Sequence, residues 1–187
     1  MTRLSILFWL LLVFTPMTQA QKIAGIEIPT QFSTINIPLQ LNGAGTRVEW
    51  FIDVYAAGLY LQQPQQDAQR ILQADEPMAI RMHILTDLLT SKKITEAVRE
   101  GFEKSTNGQT APYQTLINST LQAFADEIKK HDYFDLVYLP DQGVDIYKNG
   151  TLLYQVESGL EFKQALFGIW LSDRPVQERL KKAMLGR

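Results

Sequence analysis

Along residues 46–61 polar and apolar side chains alternate, as they do in a strand with one face turned to a core. Arg47, Glu49, Asp53 and Tyr55 share one face, and Val48, Trp50, Ile52 and Val54 share the other. Phe51 interrupts the polar set, so that face is mixed and suited to border a cleft. The pattern predicts one long strand, entered through a glycine-containing turn at residues 42–45. Arg47 and Tyr55, eight residues apart, would then face the same way, with α-carbons roughly 26 Å apart. They would line one elongated cleft rather than share a small group, unless a bulge or sharp bend shortens the path.

Other segments read as strands from the same alternation. Residues 78–85 place Met78, Ile80, Met82 and Ile84 on one side, with Arg81 and His83 on the other. Residues 32–41 suit an edge strand because of Pro38. Residues 21–29 read as an irregular lead or an edge strand, and residues 135–139 as a further strand. Residues 145–148 and 151–157 predict a hairpin turning at Asn149-Gly150, a dipeptide that accepts left-handed angles.

Helical periodicity marks the rest. Residues 65–73 form a short helix. Residues 91–104 carry Ile94, Val98 and Phe102 four apart, with Thr90 or Ser91 as cap. A helix starting near Pro112 carries Tyr113, Ile117, Leu121, Phe124 and Ile128, and ends in Lys129 and Lys130. Ser158 and Glu161 suggest a capping box before Phe162, and a last helix spans residues 174–185, capped by Ser172 or Asp173. Strands grouped apart from helices predict an α+β class with an antiparallel sheet.

The N-terminus changes the picture. Arg3, the apolar run of residues 4–14, Pro16, and the small Thr18 and Ala20 read as a secretory signal over residues 1–20. The mature chain is then a single domain over residues 21–187, expected in the periplasm. An uncleaved anchor is the alternative, but Gln19 and Gln21 end the run and no stop-transfer pattern follows. No later segment is long and apolar enough to span a bilayer. Lysine plus arginine number 18 against 20 acids, a net charge of -2 that becomes -3 once Arg3 is removed. With no basic run, nucleic acid is not an expected partner.

There is no cysteine, which excludes thiol catalysis, thiolate metal sites and disulfides. His83 and His131 lack motif spacing, so neither a metal nor another cofactor is expected. No phosphate loop, HExxH or nucleophile elbow is present. Asn118-Ser119-Thr120 matches a glycosylation acceptor, but lies inside a predicted helix. Arg47 is the strongest single candidate, because a guanidinium offers donors in a fork suited to a carboxylate or an enolate-like oxygen. A surface ion pair with Glu49 or Asp53 is the plainer reading. Phe167 and Trp170 read as core, or as an aromatic wall for a flat apolar ligand.

The motifs LNGAGTR at 41–47, AGLYL at 57–61, ITEAVREGF at 94–102 and EFKQALFGIWLSDRPVQ at 161–177 together resemble bacterial chalcone-isomerase-like proteins. The resemblance runs over residues 42–186. It implies an open-faced β-sandwich, with a ligand cleft between an antiparallel sheet and the helices over it. It also implies that Arg47 stands where the plant enzymes hold the substrate's ketone-bearing system. The other enzyme positions depart: Tyr55 replaces a threonine, Thr90 a tyrosine, Ala97 an asparagine and Ala165 a small hydroxyl residue. Non-catalytic relatives bind fatty acids, with an arginine on the carboxylate. The resemblance therefore implies an exported binding protein for a small amphiphilic or aromatic ligand, with Arg47, Tyr55, Thr90, Ala97 and Ala165 at the ligand. A ring-closing isomerase is the alternative, with Arg47, Tyr55 and Thr90 as its catalytic groups. A structural or interaction protein without a small ligand is a third reading.

Overall fold

The long strand expected over residues 46–61 is two strands joined by a tight turn. In the computed structural model, which describes residues 20–187, β4 (Leu39–Glu49) reverses through Trp50 and Phe51 into β5 (Ile52–Leu61). Trp50 and Phe51 take φ of 49° and 67°, and Glu49 pairs with Ile52, so the loop has two residues, both left-handed. Residues 42–45 are no turn. They lie within β4, and their glycines serve close approach: a β-carbon on Gly45 would sit 2.7 Å from that of Ala183. Alternation alone cannot reveal this reversal, because a two-residue loop leaves the period nearly intact.

The remaining strands are β1 (Ala20–Ile23), β2 (Ile26–Pro29), β3 (Gln31–Phe32), β6 (Met78–Ile84), β7 (Tyr133–Leu139), β8 (Gly143–Lys148) and β9 (Thr151–Val156). β1 and β2 form a two-stranded ribbon, and β3 to β9 form one seven-stranded antiparallel sheet in chain order. The Asn149-Gly150 hairpin forms as expected, with Lys148 paired to Thr151. Helices α1 (Ala68–Gln73), α2 (Ser91–Ser105), α3 (Gln114–Gln122), α4 (Leu160–Leu171) and α5 (Glu178–Met184) complete the α+β fold with an antiparallel sheet that the residue pattern predicts, in the open-faced sandwich that the resemblance implies. The expected export signal lies outside the described residues, save Ala20, the first residue of β1. Among the described residues no helix is long and apolar enough to cross a membrane.

Several helix ends differ from expectation. α3 stops at Gln122, short of Lys129 and Lys130. Gly159, not Ser158, is the N-cap of α4, and the Ser158 hydroxyl donates to the Val156 carbonyl instead. α5 begins at Glu178, with Gln177 rather than Ser172 or Asp173 before it. Thr90 does cap α2, accepting from the Lys93 N–H at 3.3 Å. One anchor has no periodic signature: buried Lys163 donates to the carbonyls of Ile71, Leu72 and Ala74 at 2.5, 3.2 and 2.6 Å. Its ammonium thus holds the C-terminal carbonyls of α1.

The sheet carries a core on each face. Tyr55, Leu59, Ile80, Met82, Leu136 and Ile146 pack beneath α2 and α4. On the other face Ile28, from the β1–β2 ribbon, packs with Phe32, Leu39 and Tyr60. Tyr60 donates to the Pro29 carbonyl at 2.9 Å, which ties the ribbon down. On this second face His83 Nε2 is buried without a hydrogen-bond partner among the described residues. Burial, with Arg81 adding to it and Asp135 opposing, pushes the imidazole from 6.5 down to about 4. The unfolded chain therefore binds the extra proton first, and stability should fall as pH drops from 6.5 towards 4. Urea midpoints across that window should fall less steeply in His83→Phe. Equal slopes would show that His83 is not held neutral.

Candidate functional site

The hairpin turn brings together two residues that an unbroken strand would separate. Arg47 on β4 is registered directly opposite Tyr55 on β5, so their α-carbons are about 5 Å apart instead of spanning the length of a cleft. Cross-strand partners share a face, and Tyr55 belongs to the helix-side core, so Arg47 enters from that side. The Tyr55 hydroxyl accepts from Trp170 Nε1 at 3.1 Å. Its own proton goes to no acceptor among the described residues. Burial pushes this phenol up to about 12, against the smaller opposing effects of Trp170 and Arg47. Tyr55 is therefore a neutral donor across the physiological range.

Arg47 is half-buried. Among the described residues its guanidinium makes one hydrogen bond, Nη1 to the Val48 carbonyl at 3.0 Å, and no ion pair. The surface ion pair with Glu49 or Asp53 does not form. Glu100 on α2 feels the field of Arg47, but Lys104 engages it at 2.6 Å and is the main cause of its lowered pKa. Gln177 fixes the strand at this point: its side-chain oxygen accepts from the Val48 N–H at 3.2 Å, and its amide donates to the Val48 carbonyl at 3.4 Å. A lone glutamine before a helix carries no sequence signal for this role. The indole of Trp170 does have one, in the apolar run of α4.

The other expected site residues lie elsewhere. Thr90 is exposed, and its oxygen caps α2. Ala97 is an exposed position of α2 and has no polar side-chain atom. Ala165 is buried on α4, where its carbonyl accepts from the Ser105 hydroxyl at 2.6 Å. It lines a cleft of about 400 Å³ whose walls are mostly polar, among them Gln69, Lys104, Gln109 and Arg174. A second cleft of about 210 Å³ lies between α1 and the start of β6, lined by Leu61, Ile71 and Met78. Arg47 lines neither. The structure thus brings Arg47, Tyr55, Trp170 and Gln177 together and leaves Thr90 and Ala97 apart. Among the described residues, no group of histidines and carboxylates has metal-site geometry.

The fold is similar to a solved structure, that of a fatty-acid binding protein from Arabidopsis thaliana, with a TM-score of 0.67 at 20% identity. The match covers 91% of this chain and 94% of that one, and at this identity it shows the shared fold. No curated protein sequence matches the chain. The model of the chalcone isomerase-like family matches residues 20–186, so its span includes both strands of the Arg47 hairpin and all five helices. The chain belongs to the chalcone isomerase-like family.

Proposed function

We propose that the chain is an exported protein that binds a small amphiphile without turning it over. Its polar head meets Arg47 and the Tyr55 hydroxyl, and its apolar body lies between the sheet and α2. One observation carries this reading: a half-buried guanidinium, without a carboxylate partner among the described residues, is borne on the strand position directly opposite a buried phenol whose proton is unspent. Together they offer a forked cationic donor and a neutral one, a pair suited to a carboxylate. Apolar side chains fill the space beneath α2. The ligand body therefore enters as α2 parts from the hairpin, and α2 packs chiefly on α4 rather than on β4 and β5.

Binding is favoured over ring closure because the supporting groups are missing. Stereochemically controlled cyclisation needs several fixed donors around the reacting atoms. Thr90 is spent on the helix cap, and Ala97 offers none. The fold match to a fatty-acid binding protein makes a long-chain fatty acid the first ligand to test.

Isothermal titration of protein from the exported fraction should detect a long-chain fatty acid, and its methyl ester more weakly. Arg47→Ala should weaken the acid by about 10- to 100-fold, the loss of one charge-assisted contact worth about 1.5–3 kcal/mol. Unchanged affinity in Arg47→Ala would remove Arg47 from the site. In parallel, chalcone cyclisation should run at the buffer rate. An Arg47-dependent acceleration would replace binding with isomerisation.

A further inference from the structure

The turn that pairs Arg47 with Tyr55 is itself unusual. Trp50 and Phe51 are 86% and 99% exposed, and Ile52 beside them is 41% exposed. Both aromatic residues hold the left-handed conformation, which is disfavoured for any side chain with a β-carbon. Where this chain needs only a two-residue turn, between β8 and β9, it uses Asn149-Gly150. At the β4–β5 turn it places two large aromatic rings that stand almost free of the described residues. Strain with so little internal contact points to an external partner.

More apolar surface lies at the same end of the sheet. β6 finishes there, with Ile84 paired to Tyr55 and the Leu85 N–H donating to the Val54 carbonyl at 3.0 Å. The loop that follows exposes Leu88 to 56%. The exposed apolar side chains at this end of the sheet, Trp50, Phe51 and Ile52 at the turn and Leu88 in the loop after β6, make up a small apolar area. It is too small for a stable protein interface: side chains of this size offer on the order of a few hundred Å², against about 800 Å² on each partner. A convex aromatic tip of this size suits a bilayer surface, where tryptophan and phenylalanine settle among the head groups.

We infer that the Trp50–Phe51 tip inserts into the head-group region of a lipid bilayer and docks the protein there. The charges next to the exposed apolar residues in sequence are mixed, Lys92 and Lys93 against Glu49, Asp53 and Asp87. The contact is therefore apolar rather than electrostatic, and a zwitterionic membrane suffices. Docking at the tip stands whether or not Arg47 holds a ligand, and the two are measured separately. If both hold, Arg47, three residues from the tip, receives its ligand next to the membrane surface.

The absence of cysteine allows a site-specific test in the full chain. Phe51→Cys carries an environment-sensitive fluorophore at the tip. Gln109→Cys, exposed beyond the far end of α2, carries it as a control. With phosphatidylcholine vesicles the label at 51 should shift to the blue and be quenched by brominated lipid, in low and high salt alike, while the label at 109 does not change. A second variant, Trp50→Asn with Phe51→Gly, installs the favoured turn dipeptide. It should lower the vesicle-bound fraction by roughly tenfold, while Tm holds or rises by a few degrees. All variants share the N-terminal segment, so the differences report the tip. No shift at 51, equal vesicle binding by the double variant, or a fall in its Tm would overturn the inference. So would loss of a dimer, in place of lipid binding, in that variant.

Discussion

Replacing Arg81 by methionine is expected to destabilise the fold by about 3–5 kcal/mol, the largest single effect anticipated outside the central apolar core. Arg81 on β6 stands opposite Asp135 on β7. Its Nε and Nη2 meet the two carboxylate oxygens at 2.6 and 2.7 Å. The side chains are only 7% and 0% exposed, so both charges have left water. The Thr34 hydroxyl donates to Asp135 Oδ2 at 2.5 Å and accepts from Arg81 Nη2 at 2.9 Å. Phe32 and Tyr133 sandwich the guanidinium, with ring centroids 5.1 and 4.7 Å away. Removing the arginine alone strands a carboxylate in this enclosure. Removing both charges, in Arg81→Met with Asp135→Leu, should recover most of the loss, because the attraction and the desolvation cost disappear together. Urea denaturation of the single and double variants measures both. A loss below about 1 kcal/mol in the single variant would mean that the pair is hydrated. The pair lies on the face opposite the helices, so the binding proposed at Arg47 should survive in whatever fraction remains folded.

This pair also shows what the residue pattern can and cannot convey. Alternation along residues 78–85 correctly sets Arg81 and His83 against the methionine and isoleucine face. It cannot report that the opposite face is covered as well, because the cover comes from residues 23–37, over forty residues earlier in the chain. The helix stripe of α2 is legible for the same reason the strands are: burial on one side imposes a period. Ends and turns are less legible, since they depend on single residues whose roles overlap. Glycines at residues 43 and 45 fit a turn or a close approach equally well in sequence. Trp50 and Phe51 fit a strand interior, and only their exposure and backbone angles identify a turn. The candidate site was half legible. Arg47 and Tyr55 could be chosen by side-chain chemistry, but their direct pairing required the reversal between them. Gln177 could not be chosen, because its contribution is a backbone contact to Val48.

The two meanings of glycine can be separated at Gly43. A β-carbon there would stand 2.2 Å from the Ala183 carbonyl oxygen, and 2.8 Å from both the Gly186 nitrogen and the Met184 oxygen. These are backbone atoms, so no side-chain rotation relieves the overlap. Asn42 holds the same contact from the neighbouring position, donating to the Met184 and Gln65 carbonyls at 2.9 Å each. Gly43→Ala should therefore lift α5 from β4 and cost about 2–3 kcal/mol. Gly25→Ala is the contrasting case. Its φ of 82° disfavours a side chain, but nothing lies within 4 Å of the added carbon, and the loss should stay near 1 kcal/mol. Thermal or urea unfolding of the two variants ranks them. A conformational role for Gly43 predicts equal costs, whereas a packing role predicts the larger cost at 43. The packing role has a second consequence, because α5 begins immediately after Gln177, whose side chain holds the Val48 backbone beside Arg47. Lifting α5 should loosen that anchor, so Gly43→Ala should also weaken the binding proposed at Arg47, four residues further along β4. A Gly43→Ala protein that binds normally while losing stability would show that the hairpin holds Arg47 in place without help from α5.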